Sequence, residues 1–92
     1  MAFDGTEGDQ ITMQEANQLR QNYVNANPGK AEGHYLGRDV IEAILNQSGC
    51  QGISFYHGID SNGNQNLVLI GTDSNEADMN SGIIADRGYP RP

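Results

Sequence analysis

Two apolar runs flank Asn62-Gly63 and dominate the hydrophobic pattern; residues 51–73 read QGISFYHGIDSNGNQNLVLIGTD. Asn-Gly between alternating runs is the strongest short-range hairpin signal, because a type I′ turn needs φ > 0 at both central residues. The pattern therefore predicts a β-hairpin with a two-residue loop as the spine of the fold. That loop predicts the register. Ser61 falls opposite Asn64, His57 opposite Val68, Phe55 opposite Ile70 and Ile53 opposite Thr72. Alternation then puts Ile53, Phe55, His57, Ile59, Val68 and Ile70 on one face, the better core. The other face carries Ser54, Tyr56, Gly58, Leu67, Leu69 and Gly71, with Tyr56, Leu67 and Leu69 as a small apolar patch. A bulged or three-residue loop would shift the parity of one strand.

Helical periodicity occurs twice before the hairpin. Thr12-Met13-Gln14-Glu15 matches a capping box and predicts a helix over residues 13–25. Met13, Ala16, Leu19 and Tyr23 recur at helical spacing, and Val24 widens the stripe. Asn27, Pro28 and Gly29 end it, and residues 30–37 read as a connector. Residues 37–49, GRDVIEAILNQSG, predict the more apolar helix, with a stripe of Leu36, Val40, Ile41, Ile44 and Leu45. Asp39 and Glu42 favour the positive end of its dipole, and Gly49 suits the position after the C-cap. Residues 82–86 predict a third strand or a packed tail, and the terminal RGYPRP an irregular end. The fold class expected is α+β and two-layer. Two helices pack on a small antiparallel sheet of two to three strands, in the order α-α-β-β-β. Residues 1–10 are expected to be a mobile N-terminal arm, and residues 11–92 a single α+β domain without an internal repeat.

Composition narrows the function classes. A chain of 92 residues with 36% apolar content buries a modest core, which oligomerisation often supplements. The net charge of −7 and five scattered basic residues argue against nucleic-acid and anionic-membrane partners. Such charge fits solubility or a basic protein partner. Cys50 stands alone, which excludes a disulfide scaffold. The first residues lack a basic segment followed by an apolar run, so a cytoplasmic location is expected.

Candidate chemistry is sparse. Asp60-Ser61-Asn62-Gly63-Asn64 begins like a calcium loop, but Gln65 and Gly71 stand where an EF-hand needs Gly and a bidentate Glu. Asp73, Asn75, Glu76 and Asp78 form a second oxygen-rich loop, whose bland reading is a solvated turn. His34, Cys50 and His57 lack metal-site spacing. Cys50 follows a helix C-terminus, where the dipole does not activate a thiol, so it reads as a small buried residue. His57 reads as a packed, hydrogen-bonded histidine. No phosphate loop, nucleophile elbow or paired-cysteine motif is present. No catalytic, cofactor-binding or metal-ligating residue is expected.

GRDVIEAILNQSGCQGISFYHGID, followed by NLVLIGTD, resembles a loose set of small uncharacterised bacterial proteins. The shared features are an acidic amphipathic helix, a Gly-Cys-x-Gly-Ile junction and two strands each ending in Gly-x-Asp. The resemblance spans residues 37–73 and implies no activity and no functional residue. The function expected is a non-enzymatic acidic interaction or structural protein that self-associates into a homo-oligomer or larger assembly. Tyr56, Leu67 and Leu69 are its candidate interface. The alternative is an acidic immunity protein or antitoxin-like inhibitor of a basic protein.

Overall fold

The computed structural model describes residues 2–91. Helix α1 spans Met13–Ala26, strand β1 Gly33–Tyr35, helix α2 Arg38–Leu45, and strands β2 to β5 Cys50–Ile59, Gln65–Asp73, Ile84–Ala85 and Tyr89–Arg91. The fold is α+β with two antiparallel sheets. One has three strands in the order β2-β3-β4; the other is the pair β1-β5. The element order thus differs from the expected α-α-β-β-β. The stretch read as a connector and the stretch read as an irregular end pair with each other, Gly33 opposite Arg91 and Tyr35 opposite Tyr89. Pro90 is tolerated there because a two-stranded ribbon consists only of edges.

The hairpin turn lies where the sequence places it, but its loop is one residue longer. Gly63 N–H donates to Asp60 C=O at 3.0 Å, and Asp60 N–H donates to Asn64 C=O at 2.9 Å. Gly63 has φ +83° and Asn62 keeps a negative φ. This is a three-residue loop, a type I turn closed by a left-handed glycine, not the two-residue type I′ turn. The Asp60 carboxylate decides between them, because its Oδ1 accepts from Asn62 N–H at 2.9 Å and Asn64 N–H at 3.0 Å. Asn62 N–H is thereby held in the type I geometry.

One extra residue changes every facing pair. The register runs Ile59–Gln65, His57–Leu67, Phe55–Leu69 and Ile53–Gly71, with a bulge between Cys50 and Gly52. Leu67 and Leu69 therefore share a face with Ile53 and Phe55, and Tyr56 shares the opposite face with Val68 and Ile70. The expected grouping of Tyr56 with Leu67 and Leu69 is corrected on this point.

The same turn recurs thirteen residues on, at Asp73-Ser74-Asn75-Glu76-Ala77. Glu76 N–H donates to Asp73 C=O at 3.1 Å and Asp73 N–H to Ala77 C=O at 3.0 Å. Asp73 Oδ1 accepts from Asn75 N–H at 2.8 Å and Ala77 N–H at 3.0 Å. Glu76 takes the left-handed position at φ 65°. The same Asp-Ser-Asn turn thus stands at both ends of β3.

The core lies between α2 and β3. Ile44 and Leu69, 0% and 1% exposed, meet Ala85, and Leu36, Val40, Ile41, Cys50, Ile53 and Leu67 pack around them. Gly71 lets the helix approach, since a Cβ there would lie 3.3 Å from Ile44 Cγ2 and 2.9 Å from Gln47 Nε2. Gln47 fastens the end of α2. Its Nε2 donates to Ile44 C=O at 2.9 Å and its Oε1 accepts from Ile83 N–H at 2.8 Å. One side chain therefore adds a donor to a carbonyl in the last turn of α2 and positions the approach to β4.

Helix α1 forms as its capping box predicts, with Glu15 N–H donating to Thr12 Oγ1 at 3.1 Å. None of its residues is buried, and Met13 and Leu19 are exposed. Its ties to the body are polar: Tyr23 OH donates to Gln65 Oε1 at 3.0 Å and Arg20 meets Glu32 at 3.7 Å. Residues 4–7 make a local knot, with Thr6 donating to Asp4 and the Asp4 and Gly5 N–H groups to Glu7. The Thr6 bonds hold the Asp4 carboxyl below its usual value. Phe3 N–H reaches Ser74 C=O at 3.1 Å.

Three substitutions test the turn and the core. Gly63→Ala should cost about 1 kcal/mol from the left-handed backbone alone, since a Cβ there meets no atom within 4 Å. Gly63→Glu should cost about the same. Leu69→Ala should cost about 3 kcal/mol, as expected for a core leucine. Denaturant midpoints measure all three, and a neutral Leu69→Ala would refute the parity described.

Candidate interaction surface

Strand β2 is ten residues long and lies at the edge of its sheet. In an antiparallel ladder, hydrogen-bonded pairs alternate with non-bonded ones. The Asp60 N–H to Asn64 C=O bond fixes the phase, so Gly58, Tyr56 and Ser54 bond to β3. Bonds from Met79 N–H to Gly71 C=O and from Asp73 N–H to Ala77 C=O agree, because they show odd-numbered residues of β3 facing away from β2. Ile53, Phe55, His57 and Ile59 therefore aim their backbone N–H and C=O groups outward along the open edge.

The side chains on this strand are also uncovered. Helix α2 reaches Ile53, yet Phe55 is 60% exposed, Ile59 74% and Tyr56 45%. His57 is exposed as well, which corrects its expected place in a packed face: it lies beyond the reach of α2. Leu69 is buried in the core and Leu67 is half-buried against it, so of the candidate interface residues only Tyr56 is exposed. On the face away from α2, Tyr56 stands beside Val68, and Ile70 beside Ile84.

Tyr56 is anchored by its hydroxyl. Its OH donates to Asp78 Oδ2 at 2.5 Å, Thr72 Oγ1 donates to Asp78 Oδ1 at 3.3 Å, and Ser54 and Thr72 hydroxyls meet at 2.6 Å. The bond to the Asp78 carboxylate raises the Tyr56 phenol above its ordinary value of 10.0, with desolvation adding to the shift. The network ties the loop after β3 to the middle of β2. Sequence pattern gave no sign of it, because Asp78 lies in a stretch with no periodicity.

The remaining candidates are separated. The Asp60 and Asp73 carboxylates cap their own turns, as described above. Among the described residues no group of three or more His, Cys, Asp or Glu is arranged to hold a metal ion. His34 Nε2 lies 3.0 Å from Gln65 C=O. Cys50 is half-buried against the core, and its thiol donates to Gly52 C=O at 3.2 Å. A cleft of about 520 Å³ opens between the hairpin tip and the small sheet. Lys30, His34, Asp60 and Arg87 line it, without a Ser, Thr or Cys. No described helix is long and apolar enough to cross a membrane. Comparison with family models, with characterised proteins and with solved structures gives no match.

The Tyr56–Asp78 bond has a pH signature. A raised phenol pKa means that the folded state holds the proton more tightly, so this stabilisation is complete below the unfolded phenol's value. It is lost as pH rises through the higher folded value. In a spectroscopic titration of tyrosinate, one of the four tyrosines should ionise late. Tyr56→Phe should remove that late step and flatten the alkaline loss of stability. A late step that survives the substitution would assign it to another tyrosine.

Proposed function

We propose that this protein is a non-enzymatic interaction or structural protein that associates with itself. The observation that carries the reading is the uncovered apolar strand. Phe55, Tyr56 and Ile59 are all exposed on one edge strand in a chain whose core is small. Scattered surface apolar residues are ordinary, but Phe55 and Ile59 flank His57 on one face of an open edge strand while Tyr56 is exposed on the other, and such a concentration on one edge supports a contact surface. Charge supports the same reading. The chain carries −7, yet Cys50–Ile59 contains no Asp, Glu, Lys or Arg. Two copies of so acidic a protein repel, and a contact through an uncharged surface adds least to that repulsion.

Light scattering across a concentration series tests this directly. The mass should rise above 10.0 kDa with concentration. Phe55→Lys with Ile59→Lys should hold the protein at monomer mass while circular dichroism stays close to wild type, since both side chains point to solvent. A wild type that remains monomeric throughout would end the proposal.

A further inference from the structure

The geometry points to a specific mode for that self-association: β2 pairs antiparallel with β2 of a second copy about a two-fold axis at Tyr56. The inference rests on the self-association proposed above and adds its chemistry and register. A two-fold between identical antiparallel strands pairs residues whose numbers have a constant sum. Only odd-numbered residues of β2 present outward N–H and C=O groups. An axis at Tyr56 sets Ile53 against Ile59 and Phe55 against His57, and their symmetry mates likewise. Every outward backbone group between Ile53 and Ile59 is then used. An axis at His57 sets Ile53 against Ser61 in the turn, and one at Phe55 sets Ile59 against Gln51, where the bulge interrupts the ladder.

The side chains fit the same register. On the α2 side, Ile53 meets Ile59 and Phe55 meets His57, an aliphatic pair and an aromatic pair at cross-strand distance. On the opposite face Tyr56 meets its own mate across the axis, and Ser54 meets Gly58, whose lack of a side chain avoids crowding. No charged residue is brought opposite another.

Edge protection singles out this strand. Proteins blunt open edges with charge, proline, bulges or shortness. Strand β4 has two residues and is followed by Asp86, and β5 contains Pro90. Strand β2 has ten residues, no proline and no Asp, Glu, Lys or Arg, and its bulge sits at one end, between Cys50 and Gly52. The N-terminal arm approaches that end, where a Cβ on Gly5 would lie 3.4 Å from Gln51 C=O.

Two variants, each in a Cys50→Ser background, fix the register. Tyr56→Cys should cross-link into a disulfide dimer under mild oxidation, because a non-hydrogen-bonded pair holds its Cα atoms about 4.5 Å apart, within disulfide range. Ser54→Cys, which faces Gly58 of the other copy, should not. Separately, His57→Pro removes an outward N–H without touching the bonds to β3. It should weaken association on the order of a hundredfold. If wild type associates but Tyr56→Cys fails to cross-link and His57→Pro leaves the mass unchanged, the edge mode is wrong and association uses another surface. If wild type is monomeric, self-association and the edge mode fall together. Efficient cross-linking of Ser54→Cys in place of Tyr56→Cys would reject this register alone.

Discussion

The Asp60 carboxylate sets the parity of the hairpin, and the rest of the three-stranded sheet follows from it. By accepting from the N–H groups two and four residues on, it stabilises a three-residue loop over a two-residue one. Parity then decides which leucines meet α2. Leu69 enters the core opposite Ile44, Gly71 comes under the helix, and Ala85 of β4 lands beside them. With the shorter loop, Val68 and Ile70 would be placed with Ile53 and Phe55, and the small residue at 71 would face away from the helix. The phase of the backbone hydrogen bonds is set by the same choice, so the open edge and the core have a common origin.

Much of the fold was legible in the sequence because it rests on local signals. The Thr12 capping box, the apolar stripe of α2, Gly49 after that helix and the position of the hairpin all depend on residues a few positions apart. Parity was not legible, since Asn-Gly suits both a two-residue turn and the end of a three-residue one. The distinguishing signal lay in Asp60, and its repetition at Asp73-Ser74-Asn75 was a second sign of the same turn. Strands β1 and β5 have three residues each, too few for a period to emerge. The stripe of α1 suggested packing, but its small Ala16 and intervening polar residues bury too little to seat it. The face of Leu67 and Leu69 failed with the parity, while Tyr56 stayed exposed on either register.

The molecule therefore divides its apolar surface unevenly. Helix α2 covers β3 and only the start of β2, leaving Ile59 uncovered and Phe55 uncovered although it pairs with core Leu69. A core centred on Ile44 and Leu69 is small for a chain of this size, which is consistent with part of its hydrophobic stabilisation coming from contact between molecules. The polar network of Ser54, Thr72, Asp78 and Tyr56 stiffens the strand that such a contact would use.

The pairing of β1 with β5 bears on the order in which the chain assembles. The hairpin closes over three residues, whereas β1 and β5 enclose everything from Leu36 to Gly88. Loop-closure entropy rises with the logarithm of length, which makes the longer closure about 2.5 kcal/mol more costly before any contact forms. A three-residue ribbon offers little to offset that cost by itself. It becomes favourable once α2 and the hairpin have docked and the intervening chain is already compact. The small sheet is then a late clasp on a preformed body, and its dissolution leaves the core of α2 and the hairpin in place.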